Sequence, residues 1–378
     1  MKTFGIKKKL PKIMLLSIIA VTSFFYKELI CQNIKQPFLS TIHIETKIHQ
    51  GLVINHHPEM WALTDGYFPS YEIGLARQTV GKNSEVYFRK YPRYGLTYRY
   101  TNFNGSPYLG EAHSAMAFVS LKVAKCNIVE LNFRTSLGIA YLTKTFDYKY
   151  NYKNRAISTN WNASIGFELS SAWKLSKIAE LSTGITMLHL SNGTIKTPNY
   201  GLNIPALEAG LSFKLNRADV RYKIPETLIL RKGKNNLRAS FGMAYKEIIE
   251  RWQEKFQVFT GDIVFTHFYN NVNRYIIGFD GAYDQSNKII IESQGDTTDT
   301  WVDESKFGAI VGHEWVISRF AINFSVGTYI YNLNKSNALV YNKIGVIYFF
   351  HNNIFGGITL KSHYAKADFL SANLGISL

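Results

Sequence analysis

The sequence predicts an all-β fold, a transmembrane antiparallel β-barrel of the outer membrane. Three observations predict it: side chains that alternate with a period of two, an export-type leader, and a composition rich in aromatic residues and glycine. Tyr (24) and Phe (25) far outnumber Pro (9), and Gly stands at 27, a mixture suited to many strands with aromatic faces and tight turns. A length of 378 residues allows two soluble domains or one large barrel, so it decides little. Past the N-terminus no uninterrupted apolar run is long enough to cross a bilayer as a helix.

The chain opens with a basic stretch, Lys2, Lys7, Lys8, Lys9 and Lys12, followed by a short apolar one from Ile13 to Phe25. This order of charge and grease is that of a secretory signal, so residues 1–31 are expected to be removed on export, with cleavage near Cys31 and Gln32. A lipoprotein anchor would need a small residue before Cys31, where Ile30 stands. Once the leader is gone, Cys126 is the remaining thiol, which leaves neither an intrachain disulfide nor a zinc-type cysteine spacing.

A membrane strand satisfies its backbone sideways, and its side chains point by turns to lipid and lumen. Residues 129–141 read Val129, Leu131, Phe133, Leu137, Ile139 and Tyr141 on one face, against Glu130, Asn132, Arg134, Ser136 and Gly138 on the other. The pattern returns over 163–175, 94–101 and 370–378. Similar runs place strands near 41–54, 70–80, 93–103, 112–123, 129–143, 162–175, 179–191, 207–215, 237–246, 256–268, 273–284, 305–316, 320–331, 339–350, 354–364 and 369–378. That is about sixteen, an even count as bacterial barrels require.

Connection lengths test this topology, since such barrels have short turns on the inner side and longer loops outside. Segments 55–69, 144–161, 192–206 and 285–304 fall outside and are long, while 124–128, 176–178, 317–319 and 351–353 fall inside and are short. Segments 81–92 and 216–236 break the rule by being inside yet long. Two arrangements therefore stay open. One is a single barrel of about sixteen strands; the other is an eight-stranded half over 32–215, a linker at 216–236 and a second β half over 237–378. Residues 237–378 are read by preference as part of the same barrel.

The formal net charge of +16 would suggest nucleic acid on a soluble protein, but export removes that partner, and Lys and Arg are scattered rather than clustered. An anionic membrane surface with phosphorylated headgroups fits the charge, as do loop solubility and a polar lumen.

Residues 181–203 carry the chemistry. His189 and Ser191 are two apart on a strand and so share a face, close enough for an imidazole to approach a hydroxyl. Leu181, Ile185 and Met187 share that face, which sends the base and nucleophile candidates toward lipid near the end of a rising strand. Polar groups in that register are costly unless they have a purpose.

The cluster His189-Leu190-Ser191-Asn192-Gly193, followed by Pro198-Asn199-Tyr200-Gly201, resembles the lipid A 3-O-deacylase (PagL) family, which also includes acyloxyacyl hydrolases. The resemblance spans about residues 41–215. It implies a Ser-His-acid site on the lipid-facing outside of an eight-stranded barrel and an ester of lipid A, the lipid of lipopolysaccharide, as substrate. It makes Ser191 the nucleophile and His189 the general base, with Asn192 and the Gly193 amide stabilising the oxyanion. At the family's acid position this chain has Asn203, which can orient an imidazole but lends it no charge. Glu208 is the nearest carboxylate and alternates onto the lumen face, so Asn203 is the preferred orienter. Lys196 is placed to meet a lipid phosphate.

His56 and His57 are neighbours on an extended chain and point apart, which suits a plain loop better than a metal site. His363 and Asp368 suit a lumen network and hairpin, and the acidic run Glu292 to Glu304 lacks the spacing of a calcium loop. The expected protein is thus an outer-membrane serine esterase that deacylates lipid A without cofactor or metal. Its rival is a non-catalytic barrel, a pore or a lipid- or surface-binding protein that has lost the catalytic acid.

Overall fold

The computed structural model describes residues 38–378 apart from 64, 65, 82, 249–253, 352 and 365. The leader expected over 1–31 lies outside the described residues. Sixteen strands are present among those described. They are β1 (Ile42–Gly51), β2 (Phe68–Gln78), β3 (Arg93–Asn102), β4 (Glu111–Cys126), β5 (Val129–Leu142), β6 (Trp161–Lys174), β7 (Ala179–Ser191) and β8 (Leu202–Lys214). After a linker come β9 (Asn235–Lys246), β10 (Phe256–Phe268), β11 (Asn273–Asp284), β12 (Ser305–Ile317), β13 (Phe320–Asn332), β14 (Val340–Phe349), β15 (Ile354–His363) and β16 (Lys366–Ser377).

The strands close as two barrels. β1 pairs antiparallel with β8, and β16 pairs antiparallel with β9, so each set of eight seals its own edges. The reading of residues 237–378 as a continuation of one sixteen-stranded barrel is therefore corrected: they form a second barrel. The physical reason is local, since the hairpin pairings within each half are common to both arrangements and only the two closing seams differ.

Alternation sorts the side chains as a bilayer requires. Ile48, Tyr71, Ile73 and Leu75 in the first barrel are exposed on the outer surface, as are Ile263, Ile277, Phe279 and Val311 in the second. The charged side chains between them turn inward and pair. Lys47 donates to Glu168 (2.6 Å) and Glu208 (2.9 Å), and Arg134 bridges Glu72 (2.9 Å) and Glu45 (3.3 Å). In the second barrel Lys246 joins Asp284 (2.6 Å) and Asp368 (2.7 Å), and Arg238 joins Glu314 (2.9 Å). Eight-stranded barrels have an interior that side chains just fill, and these networks fill both.

The upper rim of the first barrel carries the connections after β1, β3, β5 and β7. They fold inward over an apolar cluster that includes Met60, Leu63, Phe68, Phe103, Leu109, Ile157, Leu188, Leu190 and Leu202. The lower-rim connections that broke the length rule have a structural use. The segment between β2 and β3 contains a short helix, Ser84–Phe88, and Arg89 just after it donates to the carbonyls of Val272 (2.8 Å) and Val316 (3.0 Å) on the second barrel. The linker runs beside it: Lys223 N–H donates to Val80 O (2.8 Å), Ile229 N–H to Ser84 Oγ (2.7 Å) and Arg231 N–H to Asn271 Oδ1 (2.8 Å). The two barrels therefore stand side by side with their lower rims tied together.

Candidate active site

β7 rises to the upper rim and ends at Ser191. Leu188 and Leu190 are buried in the apolar cluster, while Ile185 is 58% exposed, so the odd residues of this strand, His189 and Ser191 among them, belong to the outward face. β8 descends beside it with Asn203 directly opposite His189 in the ladder and Leu207 exposed further along the same face. This register brings Asn203 Oδ1 to 2.7 Å from His189 Nδ1. An amide oxygen only accepts, so Nδ1 carries the proton and Nε2 is the basic nitrogen.

Ser191 is itself buried, because the loop that follows folds back over it. Gly201 marks how closely. Its φ is +75°, and a Cβ placed there would lie 3.0 Å from His189 Cε1 and 3.3 Å from Ser191 Cβ. The imidazole edge and the serine Cβ thus both lie against Gly201, where a side chain would crowd them.

The loop from Asn192 to Gly201 is organised by Asn192. Its Nδ2 donates to Ser158 Oγ (3.0 Å) and Lys196 O (2.9 Å), and its N–H donates to Asn199 Oδ1 (3.1 Å). All three N–H bonds of Asn192 are therefore engaged, two within the loop and one with Ser158 of the connection between β5 and β6. Gly193 follows with φ +64°, and among the described residues no hydrogen bond from its amide is found. Lys196 uses its carbonyl for the loop, and its ammonium lies in the fields of Asp147 and Glu247. Glu208 is not part of the site: it is buried in the lumen against Lys47.

Sequence reasoning read His56 as part of a plain loop and gave it no place at the site. Its Nδ1 is 3.4 Å from Asn203 Nδ2 and 3.1 Å from Ile54 O, and its Nε2 is 3.0 Å from Tyr200 O. It ties the first loop to the last and stands behind the orienting amide. His57 stacks on Tyr200 at 4.0 Å, and the Tyr200 hydroxyl donates to Glu59 Oε2 (2.8 Å), which also pairs with Arg155. These partners are remote in sequence, and the signal that could have found them was the long first loop itself. His363 lies elsewhere, bonded to Tyr329 Oη at 2.9 Å, and Asp368 pairs with Lys246 and Lys306 inside the second barrel.

Comparison with known families matches residues 70–212 to the lipid A 3-O-deacylase (PagL) family and residues 234–378 to the C-terminal domain of acyloxyacyl hydrolase, so each barrel has its own match. The chain belongs to the PagL family. No curated protein matches it. Among solved structures, the outer membrane enzyme PagL is similar at 13% identity, covering 45% of this chain and 98% of its own, with a TM-score of 0.28. Neisserial surface protein A is similar at 13% identity, covering 46% and 96%, with a TM-score of 0.32. A Rhodopseudomonas blastica porin variant reaches 7% identity, 89% and 99% coverage and a TM-score of 0.17. Within this PagL-family chain one matched region falls in each closed barrel, β1 lying ahead of the first match, and the constellation around Ser191 lies in the first barrel.

Proposed function

We propose that the chain is an outer-membrane esterase that hydrolyses a fatty-acyl ester of lipid A at the lipid-facing side of its first barrel. The observation that carries this reading is the 2.7 Å contact between His189 Nδ1 and Asn203 Oδ1, with Ser191 on the same outward face. Asn203 fixes the tautomer, so His189 Nε2 takes the proton as Ser191 Oγ attacks the ester carbonyl. The tetrahedral oxyanion is met by the Gly193 amide, on a loop that Asn192 braces. Collapse expels the alkoxide, which recovers the proton from His189; water then enters, gives its proton to the same nitrogen and releases the fatty acid from Ser191. Asn203 supplies geometry without charge, so the imidazolium is less stabilised than beside a carboxylate. A lipid substrate reaches such a site by lateral diffusion, and Lys196 supplies a cation for its phosphate.

The asparagine at the acid position favours a second reading, a lipid-binding barrel without turnover. Incubation with lipid A, followed by mass spectrometry of the lipid, separates the two. Release of one acyl chain by the intact protein and its loss in Ser191→Ala are expected; retention of lipid with unchanged mass would establish binding alone.

A further inference from the structure

The loop that closes over Ser191 does not rest on its own barrel alone. Thr194 Oγ1 lies 2.7 Å from the carbonyl of Asp368 on β16 and 2.6 Å from that of Gly193, and shares its proton between the two. The N–H of Glu247, immediately after β9, donates to Thr194 O at 3.1 Å. Thr197 Oγ1 donates to Glu247 Oε1 at 3.2 Å, and a Cβ at Gly193 would lie 3.0 Å from Leu370 Cβ. Three residues of one loop thus meet the closing seam of the second barrel, β9 and β16, at its upper rim. Glu247 is 4% exposed, buried at a contact where a carboxylate is retained only if it has donors to hold.

We propose that the second barrel is part of the active site: its β9–β16 seam holds the Gly193 amide in place, and Glu247 is the positioning residue that clamps the loop through Thr194 and Thr197. The inference rests on the esterase reading for its kinetic consequence and on the loop geometry alone for its structural one. A loop that carries an oxyanion donor must keep it within a fraction of an ångström of the developing charge, so loosening the clamp strikes kcat before KM.

The test uses the full chain in mixed micelles of lipid A and detergent, comparing Glu247→Ala and Glu247→Gln with the parent protein. Heat-modifiable gel mobility first establishes that each variant is folded. Expected is a fall in kcat of about tenfold or more for Glu247→Ala with KM held within about twofold, and recovery of most of that loss in Glu247→Gln, whose amide oxygen still accepts from Thr197. Hydrogen–deuterium exchange over residues 192–201 is read in parallel and is expected to rise in Glu247→Ala. Unchanged kcat, a KM rise without a kcat fall, or a Gln variant no better than Ala would overturn the proposal. Should the parent protein release no fatty acid, the esterase reading fails, and the exchange data alone judge the clamp: unaltered protection of 192–201 sinks it.

Discussion

At the scale of single residues, the site depends on space as much as on functional groups. Gly201 has a positive φ and sits where a methyl group would press on both His189 and Ser191. Gly201→Ala is expected to lower kcat by about tenfold or more, since displacing reacting groups by an ångström has costs of that order. Steady-state kinetics on lipid A check it, with circular dichroism showing that the barrel persists. Asn203 is the second such position. Asn203→Leu removes the 2.7 Å partner of His189 and frees the imidazole to choose its tautomer, so activity should fall by roughly tenfold to a hundredfold, whereas Asn203→Asp restores a charge beside the base and is expected to raise kcat. An Asp variant slower than the native Asn203 would count against the orienting role. The shared outward face of His189 and Ser191 was legible in the sequence because a strand's period of two assigns faces without knowledge of the fold, whereas Asn203, in a segment read as a connection, was reached only through the family resemblance. His56 and Glu247 were not legible, because each reaches the site through a loop whose path depends on contacts far away in the chain.

At the scale of strands, the polar half of each alternation has a structural reason. Lys47 on β1 faces Glu168 on β6 and Glu208 on β8 across the lumen, and all three are largely shielded from water. Lys47→Met keeps the length of the side chain but strands two carboxylates, so unfolding in urea from detergent micelles should show a loss of about 3–5 kcal/mol. Replacing all three with apolar residues of similar size is expected to recover most of that loss, because the penalty comes from unpaired charge and not from the absence of an ion pair. Register follows from the same logic: a slip of one residue would move Lys47 to the lipid side and Ile48 inward, which neither environment tolerates. Alternation was therefore enough to find the strands and their inward faces, and Arg134 among the small residues of β5 already announced a charged lumen.

At the scale of the whole molecule, the question that alternation could not answer was how many barrels the strands make. A single ring of sixteen strands and two rings of eight share the hairpins within each half; they differ in whether β1 meets β16 and β8 meets β9, or β1 meets β8 and β9 meets β16, and nothing in a strand's own sequence records its closing partner. The over-long connections, residues 79–92 and the linker after β8, were the visible trace of two units being tied together. Closure also decides what passes through. Sixteen-stranded rings leave an aqueous channel, whereas eight-stranded ones are filled by their side chains. Here the first lumen is crossed by the Arg134 and Lys47 networks and capped by the apolar cluster around Met60 and Leu188; the second is crossed by Lys246, Arg238 and Lys343 with their carboxylates. Purified protein in a planar lipid bilayer is accordingly expected to give no stable single-channel steps, and removing the lumen charges one at a time should destabilise it without opening a pore. Conductance on the scale of a sixteen-stranded porin would contradict the two-ring closure and with it the view of both barrels as solid supports for a site on the outside.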